Sequence, residues 1–233
     1  MPALHLVSVS RHNNSIVTPK TPLLAQAPAM NILCFSDLHR DQDAAEHLVE
    51  MAAQADLVIG AGDFANRHQG LSDTLDILRR IEKPTCLVPG NGETVDELRQ
   101  ATRDWANCRV LHGDGWTLPT TASDIELWGV GGGIPVTPFG DWSYDFDEET
   151  ATEMLAACPS GGILVTHSPP IDTVDHDSAG RIRGSHSIRA CVLRCQPKLV
   201  VCGHIHSDWG KQVQLGTSLI LNAGPAGTMI QLD

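Results

Sequence analysis

The chain has 233 residues, 42% hydrophobic and 19% charged, which places it among globular folds and excludes the disordered and fibrous classes. Its 16 basic and 28 acidic residues leave a formal net charge of -12, which argues against a nucleic-acid backbone as the main partner. No apolar run approaches the roughly 18 residues of a membrane helix, so the sequence predicts a soluble protein without a membrane partner.

Residues 1–29 contain no Asp or Glu and lack the apolar core of a secretory signal, so they are expected to form a loose N-terminal extension. A single domain is expected over residues 30–233. From Met30 onward short apolar runs alternate with longer amphipathic ones. Strands are predicted over residues 32–35, 57–59, 85–88, 109–111, 125–130, 163–166 and 199–202. Helices are predicted between several of them, over residues 42–54, 71–81, 93–104, 148–157 and 185–195. The last stretch changes character, because residues 211–215, 218–222 and 228–232 are strand-like and divided by glycine-containing turns, which predicts an antiparallel end. The class is α/β, with two sheets packed face to face and helices outside. Residues 131–147 form the one long irregular stretch, rich in Gly and Pro and carrying Phe139, Trp142, Tyr144 and Phe146; a loop that long in a compact domain is often functional.

Seven cysteines, an odd number without a CxxC pair, suit a reducing compartment, and a cytoplasmic location is expected. Most sit in apolar runs and read as small buried hydrophobes. Cys191 and Cys195, four apart on a predicted helix, have the alternative of serving as soft metal ligands.

The informative feature is the set of residues just beyond the strands. Ser36-Asp37-Leu38-His39, Gly60-Ala61-Gly62-Asp63, Pro89-Gly90-Asn91-Gly92-Glu93, His167-Ser168-Pro169-Pro170 and Gly203-His204-Ile205-His206 each come directly after an apolar run. Taken singly, these are a capped turn, a helix-cap acid, a turn asparagine and a satisfied histidine. Taken together they place a potential ligand at five strand ends, and in α/β sheets ligands gather outside the carboxyl ends of strands. A mixed imidazole and oxygen donor set fits intermediate first-row ions such as Mn²⁺, Fe²⁺ or Zn²⁺ better than an all-oxygen calcium cage or a thiolate site, and Mn²⁺ is the ion expected, with Fe or Zn as alternatives.

These ordered blocks resemble the calcineurin-like metallophosphoesterase family, and the run from His167 through Gly184-Ser185 to His206 is similar to a subgroup of small phosphodiesterases within it. The resemblance implies a four-layer αββα sandwich of two mixed sheets with a pair of divalent metal ions at one edge. It also implies that Asp37, His39, Asp63 and His206 hold one metal and Asp63, Asn91, His167 and His204 the other, with Asp63 bridging. Asn91, His167 and Asp63 would then serve catalysis, through a metal-bridging hydroxide attacking a small phosphoester.

One position departs from the family. Many members carry a histidine after the Asn, where it can protonate the leaving group, and this chain has Gly92. A general acid is worth about 10²–10⁴ in rate, so its loss predicts poor hydrolysis of alkyl monoesters and a bias toward phosphodiesters or activated leaving groups. His112, His186 and Glu93 are candidate substitutes. Arg40, next to His39, is a candidate phosphate contact or a solvated loop residue, and Arg181 and Arg183 read more as solvated. The alternatives to a phosphodiesterase are a protein or small-molecule phosphomonoesterase and a metal-binding interaction scaffold without turnover.

Overall fold

A computed structural model describes residues 29–121 and 123–232; the expected extension lies outside the described residues except for Ala29. In chain order the elements are β1 (Met30–Phe35), α1 (Gln42–Ala52), β2 (Leu57–Gly60), α2 (Leu71–Leu78), β3 (Thr85–Leu87), α3 (Val95–Thr102), β4 (Cys108–Val110), β5 (Asp114–Leu118) and β6 (Ile125–Val130). They continue with α4 (Glu148–Leu155), β7 (Ile163–Thr166), α5 (His186–Cys195), β8 (Leu199–Cys202), β9 (Gln212–Leu215), β10 (Ser218–Asn222) and β11 (Thr228–Leu232).

The strands form two sheets, one ordered β11-β1-β2-β3-β4 and the other β5-β6-β7-β8-β10-β9. The period-2 alternation of strand side chains explains why both faces of each sheet are apolar. In β1, Leu33 and Phe35 face outward and pack with Leu48 of α1, Leu75 of α2 and Leu98 of α3. Their neighbours Ile32 and Cys34 face inward and meet Leu127, Val165 and Val201 of the other sheet. On the far side Leu164 and Val200 pack with Leu155 of α4 and Ile188 of α5. Helix, sheet, sheet and helix thus stack as the four expected layers.

Beyond shifts of a few residues at element ends, the fold departs from expectation at three points. Helix α3 begins after Thr94, whose side chain caps the Glu97 N–H while Glu97 returns to the Thr94 N–H; this capping box leaves Glu93 outside the helix. Strand β5 was not predicted, because Asp114 and Gly115 open it and most of it is exposed on a sheet edge, so no apolar alternation marks it. The expected antiparallel end needs correction. Strands β9 and β10 pair antiparallel, but β10 runs parallel to β8, and β11 crosses to the first sheet to pair antiparallel with β1.

Parallel pairing of β1, β2 and β3, and of β6, β7 and β8, sends their carboxyl ends to one side of each sheet. The two sheets are tied together at that edge: the Ser36 N–H donates to Gly224 O at 3.0 Å and the Gly132 N–H to Pro89 O at 3.0 Å. The loops that carry the candidate ligands therefore meet.

Candidate metal centre and active-site cleft

All seven expected ligands converge at this edge. His39 Nε2 and His167 Nε2 approach Asp63 Oδ2 from two sides, at 3.5 and 3.6 Å. On one side His206 Nε2 lies 3.1 Å from His39 Nε2 and 3.8 Å from Asp37 Oδ1. On the other, Asn91 Oδ1, His167 Nε2 and His204 Nδ1 form a triangle with sides of 3.1–3.2 Å. Asp63 belongs to both halves.

The donor chemistry of this cluster fits cations. His167 Nδ1 pairs with Ala61 O at 2.7 Å, so in the neutral ring Nε2 turns its lone pair into the triangle. The Asn91 Nδ2 donates to Ser143 Oγ at 2.9 Å, which directs the carbonyl oxygen to the same spot. At least two lone pairs thus point at one another, an arrangement that a positive charge between them stabilises. Burial pushes the His167 pKa down, but the Asp63 and Asp37 carboxylates outweigh it and hold it above the ordinary value. The field that draws a proton there would equally draw a divalent cation in its place. Burial, with His167 adjacent, holds His204 down at about 3, so its imidazole is a neutral donor of a lone pair.

The backbone is bent to present these groups. Asp37, His39, Asp63 and His204 all take left-handed φ, between 46° and 68°. Such residues cost about 1–3 kcal/mol each and persist only where surrounding contacts hold them, typically at functional sites. Asp37 is fixed by the Ser36 hydroxyl at 2.6 Å, the Trp209 indole N–H at 3.1 Å and the His204 backbone N–H at 3.0 Å. A side chain at Gly203 would collide with Ser36 Oγ and Asp37 Oδ2, which explains the glycine before His204. Asp63 Oδ1 takes the Gly92 N–H at 2.7 Å, leaving Oδ2 toward the histidines.

Residues 30–208 match the calcineurin-like phosphoesterase family. The chain belongs to this family. Its members are hydrolases of phosphoesters that bind two divalent metal ions. Among solved structures, a Thermus thermophilus protein, TT1561, is 19% identical with a TM-score of 0.69, covering 87% of this chain and 98% of that one. A dimetal phosphatase from Danio rerio is 11% identical with a TM-score of 0.57, covering 86% and 89%. The phosphopantetheinyl hydrolase of Mycobacterium tuberculosis is 16% identical with a TM-score of 0.56, covering 83% and 88%. At these identities the likeness is one of fold. No curated protein matches the chain at a significant level.

This calcineurin-like phosphoesterase opens its donor cluster onto a cleft of about 800 Å³, with His39, Asp63, Asn91, His204 and His206 on its floor. Val136, Phe139 and Trp142 from the long loop, and Ile182 opposite, form its apolar walls. Among the described residues six large hydrophobics are exposed, and Val136, Phe139 and Ile182 bring half of them to this cleft. Trp142 and Phe139 stack with ring centres 5.7 Å apart, and the Arg67 guanidinium lies 4.9 Å over Trp142.

Sequence reasoning missed several of the supporting residues. Arg40 runs against Gly70 and is not among the residues lining the cleft, whereas Arg67 is. Arg181 and Arg183 do line the cleft, each paired with Asp177, at 2.8 and 3.0 Å. Of the candidate acids, His186 borders the cleft. His112 instead takes the Gly131 N–H at 3.1 Å and packs with Phe146. Glu93 is fully buried, and its carboxylate accepts the N–H groups of Asp63, Phe64, Ala65 and Gly90. Burial and the Asp63 charge hold its pKa up at about 7. Trp209, whose ring packs tilted against His206 with centres 4.3 Å apart and whose indole N–H donates to Asp37, carried no motif that could have revealed it.

No helix among the described residues is long and apolar enough to cross a membrane.

Proposed function

We propose that this protein is a dinuclear phosphodiesterase, with Asp37, His39, Asp63 and His206 holding one divalent ion and Asp63, Asn91, His167 and His204 the other. The observation that carries the proposal is the position of Asp63 Oδ2, 3.5 and 3.6 Å from histidines that belong to the two halves of the cluster. When bound, two divalent ions would polarise a phosphoryl oxygen and acidify water toward neutral pH. A donor set that mixes imidazole, amide and carboxylate suits intermediate first-row ions, and of these Mn²⁺ is the metal proposed, with Fe or Zn as alternatives. The neutral imidazole of His204 and the oriented Asn91 amide keep that half of the pocket rich in lone pairs. Arg67, on the cleft wall, supplies a fixed positive charge toward an anionic substrate.

Two features favour diesters over monoesters. Gly92 offers no proton to a leaving group, which matters least when that group leaves easily. The apolar walls of Val136, Phe139, Trp142 and Ile182 suit an ester substituent that a bare monoester oxygen would leave unused. We place the protein in a reducing compartment, the cytoplasm first, on the support of its free buried cysteines.

The test is hydrolysis of a bis-aryl phosphate, an aryl monoester and an alkyl monoester by protein stripped with chelator and reloaded with Mn²⁺. Reloading is expected to restore activity in the order diester, aryl monoester, alkyl monoester. Hydrolysis that survives metal removal rejects the metal centre, faster cleavage of the aryl monoester than the diester rejects the diesterase assignment, and equal aryl and alkyl rates reject the missing acid. Stoichiometric metal without turnover would indicate a binding scaffold instead.

A further inference from the structure

A second group of potential ligands lies in the outer layer formed by the six-stranded sheet, α4 and α5, away from the histidine cluster. Cys191 and Cys195 sit one turn apart on α5, and Cys158 reaches them from the loop after α4. Their three sulfurs lie within 4.8 Å of one another, with Cys191 Sγ and Cys195 Sγ 3.9 Å apart. Three sulfurs placed about 2.3 Å from a first-row d¹⁰ ion would form a triangle with edges of about 4.0 Å, so the group is already near the size of a trigonal thiolate site. The other cysteines, Cys34, Cys86, Cys108 and Cys202, join no such group among the described residues. They fill apolar space as ordinary buried thiols do.

The surroundings hold the triangle and offset its charge. Arg194 reaches across from α5 to donate to Leu155 O at 2.7 Å and Ala156 O at 3.3 Å, clamping the end of α4. The same guanidinium lies 3.7 Å from Cys191 Sγ, where it would stabilise a thiolate. Without metal the Cys195 thiol donates to Cys158 O at 3.1 Å, holding the loop from the other side until that proton is released on binding. All three thiols are buried, Cys158 being 7% exposed and followed by exposed residues of the same loop, which supplies an approach from solvent. Helix α5 separates the two centres: His186 at its start borders the cleft, and Cys195 lies about 13 Å further along the axis at 1.5 Å per residue.

We propose that Cys158, Cys191 and Cys195 bind one soft monovalent ion, Cu⁺, in a three-coordinate thiolate site distinct from the phosphoesterase centre. Soft thiolates select Cu⁺ and Zn²⁺ among biological metals, and Zn²⁺ structural sites take four donors where this one offers three. Each sulfur that ligates gives up its proton to solvent, so binding tightens as pH rises.

The experiment uses the full chain, with its histidine centre first filled with Mn²⁺, kept anaerobic and reduced, and titrated with Cu⁺ against a Cu⁺-specific chelator. Wild-type protein is expected to retain one chelator-resistant equivalent with a sulfur-to-copper charge-transfer band and only sulfur neighbours by X-ray absorption. C158S and C191S are expected to lose that equivalent and its band, while C108S keeps both. Nitrogen neighbours in the X-ray absorption of the wild-type protein, no chelator-resistant copper, or undiminished retention in folded C158S would each overturn the proposal. The X-ray absorption of the unaltered protein decides the matter even if a variant fails to fold.

Discussion

The carboxylate of Glu93 holds Asp63 by its backbone, accepting the Asp63 N–H at 2.8 Å from a site with no exposure to solvent. The same carboxylate takes Ala65 N–H at 2.9 Å and Gly90 N–H at 2.8 Å, so it joins the loops after β2 and β3. Asp63 keeps its left-handed φ of 57° because this anchor and the Gly92 N–H hold both its backbone and its side chain.

Removing the anchor should therefore cost stability as well as metal. Glu93→Ala leaves several buried N–H groups without partners, each worth about 1–3 kcal/mol, and should lower unfolding free energy by about 3–5 kcal/mol in total. Urea unfolding of the metal-free protein measures it. A change under about 1 kcal/mol would mean that the N–H groups find other acceptors.

Ser143 orients Asn91 from the long loop. Its hydroxyl donates to Asp145 Oδ1 at 2.7 Å and so presents a lone pair to the Asn91 amide at 2.9 Å. Ser143→Ala frees the amide to rotate, and we expect metal affinity and kcat to fall by about 10–100-fold, the usual effect of losing an outer-shell partner. Metal titration and steady-state kinetics report this. An Asn91 held equally well without Ser143 would show neither loss.

Gly92→His supplies the absent proton donor. A Cβ at this position would meet Ala65 O at 3.1 Å and Asp63 Oδ1 at 3.2 Å, so the neighbours must yield by a few tenths of an ångström. With that accommodation, hydrolysis of an alkyl phosphate should rise by about 10²-fold or more, while an aryl ester changes little. Gly92→Ala controls for the crowding alone. Equal rises on both esters would argue that something other than proton donation has improved.

His112 makes stability depend on pH on the acid side. Burial, assisted by Arg99, holds its pKa down at about 4, below the ordinary 6.5. Between these values the unfolded chain takes up a proton that the folded chain refuses. Its stability contribution is therefore whole above about pH 6.5 and drains away as pH falls toward 4, at no more than ~1.4 kcal/mol per pH unit. His112→Gln should show a smaller drop in unfolding free energy between about pH 7 and about pH 5 than the parent. An identical drop would assign the acid sensitivity to other groups.

The long loop's apolar wall should be felt in substrate binding rather than chemistry. Trp142→Ala removes the platform under Arg67 and the partner of Phe139. For a diester with an aryl substituent, KM should rise by about 10-fold, near the ~1–2 kcal/mol of a desolvated aromatic contact, with kcat less affected. A fall in kcat alone would instead tie Trp142 to the metal centre.

What could be read directly from the chain was whatever is local. Apolar runs marked most strands, and a ligand type stood just beyond five of them, because a parallel strand's carboxyl end and the loop after it are neighbours in sequence as well as in space. Asp37, His39, Asp63, Asn91, His167, His204 and His206 all share that placement. The groups that orient them do not. Glu93 reads as the first residue of a helix until the Thr94 cap excludes it, and Ser143 and Trp209 reach Asn91 and Asp37 across 52 and 172 positions. Arg40 stands beside the candidate ligand His39 in sequence, yet it packs against Gly70 and does not line the cleft, while Trp142 holds Arg67 there. Such contacts leave no periodicity or spacing behind, since a hydrogen bond between distant segments is selected by the folded geometry and not by the residues beside either partner. Thus local order dictated which side chains are available at the edge, and only the stacking of the two sheets decided what each one faces.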